Sequence, residues 1–222
     1  MLCATWVRRL PSISGSVHGR PFQERSSRPH SLSHMNRLVL FFAFFASVVL
    51  AAKPALELPA TNGQKHTPLV VTGEKKTVVL FFVSPFCSTT KAFMKEINGI
   101  AADYADKAMV YLVHSDPEIT KEVAMEHAVL SEVKDTTTVL LDKEQMLAKQ
   151  VQAKITPEAV VVRADGKTLY KGRINDLYLG PTKRQRAATT KDLRDALDAI
   201  LAGKPVAEPQ AGAQGCKIGG IK

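Results

Sequence analysis

The sequence predicts an α/β fold with a central mixed β-sheet and helices on both faces. Three observations carry that expectation. Strand-like apolar runs alternate with helical patterns through the middle of the chain. The first run, Val78-Val79-Leu80-Phe81-Phe82-Val83, has six consecutive apolar residues, which suits the centre of a sheet covered on both sides. Two later runs flank Ala164-Asp165-Gly166-Lys167, where Asp-Gly is a strong hairpin signal.

Residues 53–77 mix Pro, Gly, Lys and Thr and read as a linker, with one short strand expected near Leu69-Val70-Val71. After Val78–Val83, a helix is expected over Ser88–Tyr104. Its Phe93, Ile97, Ile100 and Tyr104 recur at four, three and four, which is one helical face. Met109–Val113 is the second strand. Asp116-Pro117 then reads as the opening of a second helix, with Asp as N-cap and Pro at the first helical position. Thr138–Leu141 is a third strand and Lys143–Gln152 a short helix. The hairpin strands are Ala159–Arg163 and Thr168–Arg173. A last helix spans Thr190–Leu201. Thr189 and Asp192 have capping-box spacing, Leu193, Leu197, Ile200 and Leu201 form its apolar face, and Gly203 and Pro205 stop it. The tail from Ala207 has little to bury and reads as mobile.

The chain has 222 residues, enough for one ordinary domain with a real core. Its net charge of +9 is unevenly spread: residues 1–34 hold five Arg and one Glu, Arg37 adds one charge, and the rest carries only +4. That distribution argues against a nucleic-acid partner. Met35-Asn36-Arg37 precedes the uncharged stretch Leu38–Ala52, which ends in small residues. A basic start, an apolar centre and a small-residue end make residues 35–52 a signal peptide; the alternative is a retained membrane anchor, for which the stretch is short. Residues 1–34 are Ser- and Arg-rich and also fit a transit peptide, but the signal peptide behind them favours an over-extended start, with Met35 as the true beginning. The expected organisation is a leader at 1–34, a signal peptide at 35–52, one domain at 53–205 and a flexible tail at 206–222. The expected location is exported and periplasmic. Cleavage near Ala52 removes Cys3 and leaves Cys87 and Cys216, and an oxidising compartment permits a disulfide between two such thiols.

Cys87 stands between the Val78–Val83 strand and the Ser88–Tyr104 helix. Helix amides and dipole favour a thiolate there, so the position suits a nucleophile; the bland alternative is a small buried hydrophobe. His66, His114 and His127 are scattered and lack metal-ligand spacing with the cysteines, so neither metal nor other cofactor is expected.

The segment Phe81–Cys87, the Thr156-Pro157 pair, the runs Val113-His114-Ser115-Asp116-Pro117 and Tyr170–Asp176, and the closing Gly215-Cys216-Lys217-Ile218 together resemble thioredoxin-like redoxins of the alkyl hydroperoxide reductase and thiol-specific antioxidant family, most closely exported bacterial members. The resemblance covers residues 57–220 and implies a thioredoxin-like fold. It implies a cis bond before Pro157, leaving the Thr156 backbone free to pair with an extended substrate chain beside Cys87. It also implies that Ser84, Thr156 and Pro157 shape a substrate groove. Thr90 stands where a thioredoxin-type site has its second cysteine, so a resolving thiol must come from elsewhere. Cys216 is the candidate; the alternatives are an exposed tail thiol or a bond to another molecule. Against a peroxidase site, Ser84 matches the hydroxyl three residues before the cysteine, Leu80 replaces a proline, and Glu158 follows Pro157 where an arginine is wanted, with Arg163 or Arg173 as substitutes. The implied activity is a thiol–disulfide oxidoreductase with Cys87 and Cys216 as catalytic pair, acting with a thiol or disulfide partner protein or on peroxides. The alternatives are a thiol peroxidase proper and a redox-inactive binding module. Membrane contact is expected only through an uncleaved signal segment. Asp176 reads as a loop anchor.

Overall fold

The computed structural model describes residues 55–71, 73–207 and 211–221; the leader, signal-peptide and Cys3 readings lie outside them. In chain order the elements are β1 (Leu58–Pro59), β2 (Lys65–His66), β3 (Thr77–Val83), α1 (Ser88–Asp103), β4 (Met109–His114), α2 (Lys121–Leu130), β5 (Thr137–Leu141), α3 (Met146–Val151), β6 (Ile155–Thr156), β7 (Glu158–Arg163), β8 (Thr168–Gly172), α4 (Asp192–Leu201) and β9 (Cys216–Lys217). Five strands form one sheet in the order β5-β4-β3-β7-β8. β3, β4 and β5 run parallel, while β7 is antiparallel to both β3 and β8.

β3 takes the central place because both its faces are apolar. Val79, Phe81 and Val83 belong to one buried cluster with Phe93, Ile97 and Ile100 of α1, Ala124 of α2, and Leu193 and Leu197 of α4. Val78, Leu80 and Phe82 belong to the other, with Leu147, Ala148 and Val151 of α3 and the N-terminal Leu58 and Ala60. Strand side chains alternate faces, so one apolar run supplies two cores. Helices therefore cover both faces, three on one and α3 on the other. A parallel crossover from β3 through α1 to β4, followed by an antiparallel hairpin and a closing helix, is the thioredoxin-like fold.

Four local expectations are corrected. Asp116-Pro117 does not open a helix. The Asp116 carboxylate accepts from Glu118 N at 2.9 Å and its carbonyl from Ile119 N, an Asx turn that delivers Ile119 to the core. α2 starts four residues later, capped by Thr120, whose hydroxyl accepts from Val123 N. α3 begins at Met146 rather than Lys143, because Gln145 is left-handed (φ 57°) and interrupts the helical path. α4 begins at Asp192, since Thr189 donates to Asp176 instead of closing a capping box. Leu69–Val71 is no strand: Val70 N bonds to Thr67 O in a turn, while Leu69 is buried. The hairpin follows expectation, with Gly166 at φ 77° in its turn.

The segment read as a mobile tail runs along the domain over residues 211–221. Arg173 N donates to Ala211 O, β9 pairs with β6, and Ile218 is buried in the cluster on the α3 face. Among the described residues no helix is long and apolar enough to cross a membrane.

Candidate active site

β3 ends at Val83 and the chain turns through Ser84-Pro85-Phe86 into α1. The Ser84 hydroxyl accepts from Phe86 N at 3.2 Å, its carbonyl accepts from Cys87 N at 3.2 Å, and its own N–H donates to the buried Thr90 hydroxyl. Thr90 thus tethers the turn from the place where a second cysteine would sit. Cys87 is the N-cap of α1, with extended backbone angles, and its carbonyl accepts from Lys91 N. No acidic residue occupies the first turn of α1.

Across the cleft, the Thr156-Pro157 bond is cis, as expected. Cys87 Sγ lies 3.1 Å from the Thr156 carbonyl oxygen. The sulfur is joined in a disulfide to Cys216, whose Cα is 6.0 Å from that of Cys87. Cys87 is only 2% exposed, whereas Cys216 is exposed. β9 lies antiparallel to β6, with Thr156 opposite Cys216 and Ile155 opposite Lys217. The Thr156 hydroxyl donates to Cys216 O at 3.3 Å, and Ile218 N donates to Lys154 O at 2.9 Å. These groups border a cleft of about 240 Å³, lined also by Ser84, Phe86 and Ser115. Phe86 stands 72% exposed at its rim.

A buried polar support lies beneath. Asp142 accepts from Ser115 Oγ at 2.9 Å and from Leu147 N and Ala148 N at the start of α3. Burial pushes its carboxyl up, and those donors oppose the shift. Gln145 Nε2 donates to Ser115 O at 2.9 Å and to Gly219 O, tying the tail to the loop after β4. Glu158 is buried beside Pro157 and accepts from Lys154 N at 2.9 Å, which braces β6. Burial raises its carboxyl as well. Asp142, Gln145 and Glu158 were not singled out for these contacts by the sequence. Only Glu158 carried a signal, as a carboxylate directly after the proline of the groove.

His114 ends β4 in the sheet interior, between β3 and β5, not at an edge. It is fully buried, with Nε2 3.4 Å from His127 Nδ1. Burial, aided by His127, pushes it down to about 3. The two arginines considered as substitutes lie elsewhere. Arg163 pairs with Asp165 in the hairpin turn, and Arg173 pairs with Asp192 of α4; neither lines the cleft. Asp176 anchors its loop as expected, accepting from Thr189 N, Thr190 N and Gln185 Nε2, and these bonds hold its carboxyl well below the usual range.

The AhpC/TSA family model matches residues 49–171, just over half of the chain. A hypothetical protein from Sinorhizobium meliloti 1021 is 25% identical, with a TM-score of 0.63 over 73% of this chain and 89% of its own. An uncharacterized conserved protein from Geobacillus kaustophilus is also 25% identical, with a TM-score of 0.62 over 75% of this chain and 89% of its own. A secreted disulfide oxidoreductase from Mycobacterium tuberculosis aligns at 16% identity and a TM-score of 0.47, over 67% of this chain and 96% of its own. No curated protein matches. With a cysteine at the strand-to-helix turn, a cis-proline opposite it and a family match across the sheet, the chain belongs to the AhpC/TSA family and is a thioredoxin-like redoxin.

Proposed function

We propose that this protein is an exported thiol–disulfide oxidoreductase in which Cys87 is the nucleophile and Cys216 the resolving thiol. The observation that carries the reading is the Cys87–Cys216 disulfide at the N-terminus of α1, beside Thr156-Pro157. The uncharged run within residues 35–52 supports export, and an oxidising compartment preserves such a bond.

In the reducing direction the Cys87 thiolate attacks a sulfur of a substrate disulfide. The substrate S–S bond breaks, and its second sulfur leaves as a thiolate. The Cys216 thiolate then attacks Cys87 Sγ, re-forming the internal disulfide and expelling the bound sulfur. The substrate gains two electrons and the cysteine pair loses two. A dithiol partner restores the pair, meeting the exposed Cys216 before the buried Cys87. Ser84 and Thr90 hold the turn that aims Cys87, while Thr156 and Pro157 form the wall of the groove.

A disulfide substrate fits this site better than a peroxide. Among the described residues the cleft is lined by Ser115, Thr156 and Lys217 but by no arginine, and Glu158 beside Pro157 is acidic. The test is a full-length Cys216→Ser variant, reduced and mixed with a disulfide-bearing protein or with hydrogen peroxide. The expected result is a stable mixed disulfide at Cys87, formed much faster than any Cys87 sulfenic acid. Rapid sulfenic acid formation with slow disulfide attack would assign the site to a peroxidase. An unreactive Cys87 would make the fold a binding module.

A further inference from the structure

The oxidised site is occupied by its own chain in the way a substrate strand would occupy it. β9 lies antiparallel to the Thr156 edge, and its cysteine bonds to Cys87. The seat is selective at two positions. A Cβ on Gly215 would overlap the Thr156 carbonyl oxygen and lie 2.9 Å from its carbon and 3.2 Å from Pro157 Cδ, so only glycine fits before the cysteine. Two residues after the cysteine, Ile218 is 6% exposed within the apolar cluster on the α3 face. Lys217 between them is exposed and makes no demand on its side chain beyond register. The Gln145 amide then takes the Gly219 carbonyl, which any residue offers.

We propose that Gly215–Ile218 is a resident copy of the substrate, and that the site takes an extended protein segment of the pattern glycine, cysteine, any residue, large aliphatic. This rests on the thiol–disulfide reading above. Such a segment binds when the Cys87–Cys216 bond is reduced by a dithiol and the tail leaves its seat. Its cysteine arrives in a disulfide. The Cys87 thiolate attacks that sulfur, the substrate S–S bond breaks, the other sulfur leaves as a thiolate, and a mixed disulfide with Cys87 stands in place of the Cys216 bond. The strand seat holds one chain at a time. The Cys216 thiolate therefore reaches Cys87 Sγ by retaking the seat, which breaks the mixed disulfide and drives the product out as a thiolate that takes a proton from water. Resolution and product release are one strand exchange, and no electrons move beyond the two already exchanged.

The test uses reduced, full-length Cys3→Ser/Cys216→Ser protein, in which Cys87 is the remaining thiol, and three end-blocked peptides carrying cysteine as a mixed disulfide with thionitrobenzoate. One has the sequence Gly-Cys-Lys-Ile, one replaces glycine by valine, and one replaces isoleucine by aspartate. Attack by Cys87 releases thionitrobenzoate and leaves the peptide on the protein. The parent peptide is expected to react at least about tenfold faster than either altered one, since each loses either the fit or the burial of a large aliphatic side chain. The Cys216→Ser tail competes equally with all three, so the ratios read the seat itself. Equal rates overturn the proposal, and a small symmetric disulfide reagent separates the two levels of failure. Reaction with that reagent but no peptide preference sinks the substrate pattern alone; no reaction with any probe sinks the oxidoreductase reading with it. A second variant, Gly215→Ala in the otherwise native chain, spoils the seat of the tail and should let dithiothreitol reduce the disulfide several-fold faster. An unchanged reduction rate counts against a glycine requirement and overturns the pattern.

Discussion

Asp142 illustrates how single side chains set this site. It is fully buried, yet its two oxygens serve three donors: Ser115 Oγ and the first free amides of α3. A helix start buried without an acceptor costs about 1–3 kcal/mol in lost hydrogen bonds. Asp142→Ala should therefore lower stability by about 1–3 kcal/mol, and Asp142→Asn by less, because one acceptor oxygen remains. Urea denaturation of the three proteins checks this; equal midpoints would mean that water replaces the carboxylate. Legibility at this scale was uneven. Cys87 could be singled out because it stands at a strand-to-helix boundary the sequence marks, while Ser84, Thr156 and Pro157 were singled out through the family resemblance. Asp142 and Gln145 could not, because an acid and an amide in an Asp-Lys-Glu-Gln run look like solvated surface until the fold buries them. Gly215 was legible only as part of the closing Gly-Cys-Lys-Ile run of the family resemblance; its steric role shows in the structure, where a Cβ would overlap the Thr156 carbonyl.

Between elements, the β4–α2 contact makes stability depend on pH. His114 of β4 and His127 of α2 meet edge to face, with ring centres 5.1 Å apart. Burial holds His114 neutral down to about 3 and lowers His127 as well. In the unfolded chain each histidine takes up a proton near the ordinary value of about 6.5. Between about 3 and 6.5 the unfolded chain thus binds more protons, and acid favours it. The contribution is complete above about 6.5 and is lost as pH falls. Asp142 and Glu158, both raised by burial, act with the opposite sign above the normal carboxylate range, so only a comparison of variants isolates the histidines. Unfolding midpoints measured from pH 7 to 4 should fall less steeply for His114→Gln than for the parent, by up to about 1.4 kcal/mol per pH unit. Parallel curves would remove His114 from the acid response. The strands were legible at this scale because β3 and β7 contain the unbroken apolar runs Val78–Val83 and Ala159–Val162, and α1 was legible from its four-three-four spacing. The start of α1 at Ser88 was legible too, but those of α2, α3 and α4 were not. Asp116, Thr120, Asp142 and Thr189 all carry capping chemistry, and tertiary demands decide among them: Ile119 must reach the core, and Thr189 is drawn to Asp176.

For the molecule as a whole, the disulfide decides whether the cleft is closed. It links residues 129 apart, so it removes much conformational freedom from the unfolded chain. Reduction should lower stability by about 2–4 kcal/mol. The loss should also be local, as the opposing magnitudes show. Without the sulfur bond the tail is held by a two-residue ladder, by bonds from Arg173 N to Ala211 O, from Ile218 N to Lys154 O and from the Thr156 hydroxyl to Cys216 O, by the Gln145 contact and by the burial of Ile218, which alone contributes about 1.5–3 kcal/mol. Keeping the eleven residues 211–221 ordered costs about 1 kcal/mol each in backbone freedom. The two sides are of the same order, so loss of the sulfur bond tips the tail toward release, while the five-stranded sheet, of which β9 is not a strand, stays intact. Hydrogen exchange on oxidised and reduced protein reads this directly. Protection should vanish at Ile218, whose amide donates to Lys154 O, and should persist throughout β3 and at Lys154, whose amide is held by Glu158. Retained protection at Ile218 in the reduced protein would mean that packing alone holds the segment, and the groove would then stay shut to any extended partner.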